Sequence, residues 1–258
     1  MTPATVFEQD MQATLKSREL LESNPNLMYW YQRLFQRMFA GEGDLAGKVI
    51  LEVGSGASPL KQILPSVITS DVMPLAHLDH VFDCHEIHRY PGIADHSVDI
   101  VVLTNVLHHL KDPLAFLKSV GTKLRPGAKL IMAEPYISAL SWPIYKMLHP
   151  EPVNFGIQAP VLDRIEGPLS TSNQAMPHMI FFSRPAWLGQ LSESFDLAAT
   201  RIEYFSSLSY MMTGGISHRL PVPCGLYKRV FPLDGWLADK APRLFASFFI
   251  AKLVSPEA

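Results

Sequence analysis

Two groups of residues have the types and the spacing to do chemistry. The first is "EVGSGAS", Glu52 to Ser58, where a carboxylate precedes two glycines separated by Ser55. Glycine tolerates positive φ and lets a ligand approach the backbone, so Gly54 and Gly56 mark a binding turn. A dinucleotide turn reads G-x-G-x-x-G and sets phosphates on the next helix N-terminus. Here the last glycine is missing, because the run continues Ala57-Ser58-Pro59. A pyrophosphate at the turn would also meet Glu52, and like charges repel. A ligand carrying an amine and a sulfonium suits this carboxylate better.

The second group is the pair His108 and His109, with Glu134 further along. Histidine titrates near neutral pH, so the pair supplies the default general bases. Glu134, just before Pro135, can accept from a hydroxyl. The structural alternative is that a histidine here orients its loop or caps a helix through Asp112. His149, Glu151 and His178 follow in a proline-rich stretch, but no i,i+4 histidine pair and no H-E-x-x-H occurs. No metal site is expected on that ground.

These residues need elements to hold them. Residues 5–22 and 27–40 read as helices broken at Ser23–Asn26, and Val49–Val53 as a short buried strand. A helix over Pro59–Leu64 leads to a strand at Val67–Asp71, which ends in an acid. His80–Cys84 is expected as a third strand and Ser97–Asn105 as a fourth. A helix then precedes a turn at Arg125–Gly127 and a fifth strand at Ala128–Pro135. Strands alternating with helices point to an α/β fold, a doubly wound Rossmann-like sheet that is mostly parallel and seven-stranded. After Pro135 the rhythm stops, and an aromatic, proline-rich lid is expected over 136–182. A helix at Ser183–Ser194, a strand near Ala199–Leu208, an amphipathic segment at about 220–243 and a strand in Leu244–Val254 complete the sheet. The expected organisation is a helical cap over 1–44, a ligand-binding core over 45–135, the lid, and the completing segment 183–258.

From Lys48 to Pro135 the ordered motifs resemble those of the class I S-adenosylmethionine-dependent methyltransferases, of the small-molecule or lipid type. That family's first motif is E/D-x-G-x-G-x-G, and Glu52, Gly54 and Gly56 match it with Ser58 in place of the third glycine. The resemblance implies S-adenosyl-L-methionine as cofactor. Asp71, with Val72 beside it, stands where the family's acid hydrogen-bonds both ribose hydroxyls, as a carboxylate can. Asp83 and Cys84 fall where the adenine edge is read, and Asn105 where the methionine end is framed. "SVDIVVLTNVLHHLKDP" and "KLRPGAKLIMAEP" are similar to the fourth- and fifth-strand motifs, which puts His108 and His109 near the transferred methyl.

Composition narrows the acceptor. The chain has 258 residues, 48% of them apolar, and a net charge of −2. No basic run or N/D-P-P-Y/F tetrad occurs, so nucleic acid is not an expected partner. The aromatic lid favours methyl transfer to an oxygen of a bulky apolar small molecule or a lipid-like acceptor. Leu226, Val230, Phe231, Leu233, Trp236 and Leu237 mix with Lys228, Arg229, Lys240 and Arg243, a composition suited to peripheral contact with anionic lipid. The alternative, a helix packed on the lid, stays open. Two separated cysteines form no disulfide framework, and a cytoplasmic setting is expected. The competing functions are a nicotinamide oxidoreductase and a non-catalytic partner subunit of the same fold. The missing third glycine and Glu52 argue against the first, and the presence of Glu52, Gly54, Gly56, Asp71 and Asp83 against the second.

Overall fold

The structure, a computed structural model, describes residues 3–147, 149–216 and 218–257; residues 1, 2, 148, 217 and 258 of the expected segments lie outside it. Two helices open the chain, α1 (Pro3–Ser23) and α2 (Pro25–Met38). Asn24 separates them, and its side-chain oxygen accepts from the backbone N–H groups of Asn26 and Leu27, while Pro25 begins the second helix. An Asn cap followed by proline is a strong start signal, because it satisfies orphan donors and presets φ. The strands and helices that follow are β1 (Ile50–Val53), α3 (Leu60–Ile63), β2 (Ile68–Asp71), β3 (His80–Val81), β4 (Val98–Thr104), α4 (Pro113–Gly121) and β5 (Leu124–Pro135). Then come α5 (Ser141–Met147), α6 (Ala175–His178), α7 (Pro185–Leu188), β6 (Asp196–Phe205), α8 (Ser209–Thr213), α9 (Cys224–Lys240), α10 (Pro242–Phe245) and β7 (Phe248–Val254).

The seven strands form one sheet in the order β3-β2-β1-β4-β5-β7-β6. All neighbours are parallel except at β7, which is antiparallel to β5 and β6. The strand order reverses between β1 and β4, so the crevice at their carboxyl ends is where such a sheet binds ligands. Strand residues alternate between two buried faces. Val101 and Leu103 of β4 join Phe116, Ile180 and Phe249 on one side, while Ile100 and Val102 join α2 and α9 on the other. Trp30 of α2 is wholly buried in that second layer, and its indole N–H donates to Ser206 at 3.0 Å. Truncating it to alanine would cost about 3–5 kcal/mol.

Four local expectations are corrected. The third strand stops at Val81, because Asp83 caps a 3-10 turn over Cys84–Arg89. Arg125–Gly127 is no free turn but lies inside β5, where Gly127 takes φ +70° and the register with β4 shifts. The helix expected at Ser183–Ser194 is split into a π turn over Met179–Ser183, the four residues of α7 and a 3-10 turn over Gly189–Leu191. Pro185 starts α7 afresh, since a proline nitrogen cannot continue the preceding ladder. The last strand begins at Phe248 rather than Leu244, which belongs to α10. The amphipathic segment is helical as α9 and carries Pro232 in its interior, on an exposed position.

The segment between β5 and α6 holds α5 and a long irregular stretch. It is tied to α1 by Asp10, whose carboxylate accepts from the N–H groups of Leu169 and Ser170 and from the Ser170 hydroxyl at 2.7–3.0 Å.

Candidate active site

A cavity of about 440 Å³ opens over the carboxyl ends of β1 and β4. At one end it meets Gly54, Gly56, Ser58 and Asp71, and at the other His108, His109, Glu151 and Gln174. Thr14 and Ser17 of α1 and Tyr31 of α2 also line it, and these three the sequence reading did not place in the site.

The first end is shaped by the glycine turn. Gly54 takes φ +75°, and a Cβ there would lie 2.4 Å from a methyl of Val106. At Gly56 a Cβ would lie 2.8 Å from the Thr14 methyl and 3.2 Å from Asp71 Oδ2. No other residue type fits either position without displacement. Asp71 accepts from the Gly56 N–H at 3.0 Å and from the Met73 N–H at 3.0 Å, which aims the carboxylate across the turn. Burial raises its pKa against those hydrogen bonds. Glu52 is 1% exposed; Oε1 accepts from the Ser58 hydroxyl at 2.5 Å and Oε2 has no partner. Burial outweighs the hydrogen bonds from Ser58 and Ser55 and brings the Glu52 carboxyl up to about 7. A buried, half-satisfied carboxylate is costly unless a donor or cation completes it. Thr104 Oγ1 and Asn105 Oδ1 are likewise buried without partners, and both residues line the cavity. Asn105 holds φ +57°, a left-handed conformation fixed by its N–H bond to the Ala133 carbonyl. The glycine cradle and the orphaned oxygens fit an adenosyl ligand with an ammonium group.

The second end is an imidazole–carboxylate network. Glu134, fully buried at the end of β5, accepts from the N–H groups of Val106 and Leu107 with Oε1 and meets His108 Nδ1 with Oε2 at 2.7 Å. His108 Nε2 lies 3.2 Å from Glu151, so its ring bridges two carboxylates. Burial alone would lower its pKa, but Glu134 and Glu151 together lift it to about 10. His109 differs. Its Nδ1 pairs with the Thr171 carbonyl at 3.0 Å, and its Nε2 lies 3.7 Å from Glu151. Burial, then repulsion from His108, lowers its pKa to about 4, so His109 is neutral. Burial opposes, but the histidines prevail, and Glu151 stays below the usual carboxylate range. Gln174 donates to Glu151 at 2.8 Å and fixes it.

The structure thus gathers Gly54, Gly56, Asp71, Asn105, His108 and His109 around one cavity, with Glu52, Ser55 and Glu134 directly behind their neighbours. It does not bring Asp83 and Cys84 to the cavity wall, and Asp83 spends its carboxylate on the backbone and ring of His85. Val72 is 38% exposed and also lies off the wall. Glu151 and Gln174 join the site from the insertion. Their spacing carries no motif, and the polar pair "NQ" at Asn173–Gln174, followed by buried apolar residues, was the one local signal.

A family model described as a methyltransferase domain matches residues 25–202, more than half of the chain. Among solved structures, a SAM-dependent methyltransferase from Archaeoglobus fulgidus is similar at TM-score 0.51 and 14% identity, over 92% of this chain and 94% of that one. A phosphoethanolamine N-methyltransferase 2 from Haemonchus contortus, solved with phosphomonomethylethanolamine and S-adenosylhomocysteine, is similar at TM-score 0.53 and 11% identity. That match spans 96% of this chain and 58% of the Haemonchus chain. A 44-residue stretch is 43% identical to part of the fumosorinone synthetase of Cordyceps fumosorosea (strain ARSEF 2679), covering 17% of this chain and 1% of that protein.

Proposed function

The chain belongs to the methyltransferase-domain family and uses S-adenosylmethionine as its methyl donor, and from that premise we propose that it methylates an oxygen of a bulky, lipid-like acceptor. The observation that carries this reading is the continuity of one cavity from the glycine turn to the His108–His109–Glu151 cluster. When bound, the donor supplies an electrophilic methyl on a sulfonium, which an aligned nucleophile displaces in line.

The residues divide the work. Asp71 holds the ribose hydroxyls, Gly54 and Gly56 admit the ligand to the backbone, and Glu52 with Asn105 receives the charged methionine end. At the far end an acceptor hydroxyl docks against Glu151 and the Nε2 of His109, where its proton can leave. His108 and Glu134 position that pair rather than touch the acceptor, because their polar atoms are engaged with each other, with the backbone and with Glu151.

The lipid-like character rests on α9. Its Tyr227, Phe231, Asp234 and Ala238 face inward, whereas Leu226 and Leu233 lie on an outward stripe with Val230 and Leu237. Leu233 is 58% exposed and Trp236 56%. Arg229, Lys240 and Arg243 are exposed beside them, and the neighbouring Asp239 is paired with Arg37. An apolar stripe flanked by unneutralised bases matches an anionic membrane surface. No described helix is long and apolar enough to cross a membrane.

The test is product analysis with isotope-labelled donor and amphiphiles that carry a hydroxyl, beside amines of the same chain length. Label in a methyl ether or ester is the expected product. Label in the amines alone, or only in short water-soluble acceptors, overturns the assignment.

A further inference from the structure

We propose that His108, His109 and Glu151 form a binding site for a divalent transition-metal cation at the acceptor end of the cavity. One ligand atom from each residue lies within 4.8 Å of the others. The Glu151 carboxylate turns Oε2 to His108 Nε2 at 3.2 Å and Oε1 to His109 Nε2 at 3.7 Å. Cations that take imidazole and carboxylate at roughly 2.0–2.2 Å bring their ligand atoms to about 3–3.5 Å from one another. Drawing the three ligand atoms together from within 4.8 Å closes the set on an ion.

The surroundings prepare both rings for this. A metal-binding histidine donates its remote N–H to a carboxylate or a backbone carbonyl, which fixes the tautomer and the ring. Both forms are present here. His108 gives Nδ1 to Glu134 at 2.7 Å, and His109 gives Nδ1 to the Thr171 carbonyl at 3.0 Å. Each ring therefore presents Nε2 toward Glu151, and at His108 the ion takes the place of the Nε2 proton, which is released on binding. Glu134 is itself held by two backbone N–H groups, and Glu151 by Gln174. Gln174 is 2% exposed and lines the cavity, yet its Oε1 has no partner. An unpartnered acceptor buried beside the three ligands is what a further ligand or an ion-bound oxygen would complete. Two imidazoles and one carboxylate, with the remaining positions open to the cavity, suit zinc or ferrous iron rather than magnesium or calcium.

A second cluster, Asp83, Cys84 and His85, has ligand atoms equally close together. It lacks this preparation, because both ring nitrogens of His85 are taken, Nδ1 by Asp83 and Nε2 by the Asp112 N–H, and it lies away from the cavity wall. It therefore serves as the internal control.

The proposal deepens the acceptor reading only in its location: with a cation present, His109 is a ligand rather than a base, and the acceptor oxygen would take an open position, where metal binding would ease loss of its proton to water in the open cavity. The experiment titrates cobalt(II) chloride into the untagged, chelator-stripped full chain, followed by visible absorption and calorimetry. S-adenosylhomocysteine binding is measured on the same samples. One cobalt per chain at micromolar affinity is expected. His109→Ala and Glu151→Gln should each weaken it at least tenfold, with S-adenosylhomocysteine affinity unchanged. The Cys84→Ser/His85→Ala double variant should bind cobalt as the parent does. The proposal is overturned if cobalt does not bind, if both single variants bind it undiminished, or if only the double variant loses it. Should cobalt bind as expected while no hydroxylated amphiphile is methylated, the cation site stands and the acceptor reading falls.

Discussion

The two ends of the cavity are built by different means. The glycine end comes from Glu52 to Ser58 in one unbroken run, with Asp71 one strand away. The histidine end draws on His108 and His109 after β4, Glu134 at the end of β5, and Glu151, Thr171 and Gln174 from the insertion. Backbone conformation fixes the first: a left-handed Gly54 and a carboxylate tied to the N–H of Gly56. Side chains bridging sheet and insertion fix the second. A site for an invariant donor can be written in the backbone, whereas a site for a variable acceptor is assembled from a segment free to differ.

If that contrast is right, the glycine end fails through backbone strain and clash alone. Gly54→Ala should have the largest effect on ligand binding, lowering S-adenosylhomocysteine affinity at least a hundredfold. The left-handed φ costs about 1–2 kcal/mol for any other residue, and the new Cβ overlaps Val106 at 2.4 Å. Adding Val106→Ala removes the overlap and leaves the φ strain. Calorimetry should therefore show partial recovery; no recovery would mean that packing against Val106 is not what defines the turn.

The histidine end should fail through its network instead. Glu134→Ala strands two backbone N–H groups and leaves His108 with Glu151 alone. Removing one partner from a buried charged pair costs about 3–5 kcal/mol. Denaturant unfolding should register that loss, and Glu134→Gln should recover part of it by keeping an acceptor in place. Equal stability in all three proteins would break the claim that side-chain bridges hold this end.

The same contrast governs what could be read in advance. Sheet and glycine turn were legible because their signals are local: apolar runs bounded by turns, an acid at the end of β2, glycines where φ must be positive. Glu52, the strand-ending Asp71 and the histidine pair stand out in that grammar, while the roles of Asp71 and the histidines come from the resemblance to the methyltransferases. Thr14 and Tyr31 were hidden, since a helix stripe reads as core whichever face closes a cavity. Glu151 stands out in the sequence only beside His149 and His178 in a proline-rich stretch, and its meeting with His108 bridges residues whose separation carries no period. For the same reason no helical metal motif marks the sequence and no metal site is expected from it, while the ligands of the proposed cation site come from two separate segments. Asp83 shows the opposite error: the apolar run before it suggested a longer strand, but a capping carboxylate ended it early.

Glu52 offers a sharper test of the glycine end, through pH. Its carboxyl titrates near 7 in the fold against an ordinary 4.5. A raised acid makes the folded chain most stable, in this respect, below the ordinary pKa, and that advantage is lost as pH rises through 7. The full difference is on the order of 3 kcal/mol. The ligand-free protein should lose stability between about pH 4.5 and 7, and Glu52→Gln should flatten this slope and be the more stable variant at pH 8. Affinity for the donor should run the other way, rising with pH as the carboxylate forms and falling in Glu52→Gln. Stability and affinity moving together with pH would remove Glu52 from the cofactor site.

The smallest effect belongs to the outer face of α9, which should touch neither end of the cavity. Trp236→Ala and Leu233→Ser remove exposed apolar surface without opening the inner stripe of Tyr227, Phe231 and Ala238. Each lost side chain contributes at most about 1.5–3 kcal/mol of burial in lipid, so binding to vesicles of anionic lipid should weaken severalfold to about a hundredfold. Binding to neutral vesicles should be weak for parent and variants alike, because the flanking Arg229 and Lys240 supply the attraction to charge. S-adenosylhomocysteine affinity and thermal stability should not move. Variants that bind anionic vesicles as well as the parent would show that this stripe packs against something other than lipid, and the lipid-like acceptor would lose its physical support while the donor site kept its own.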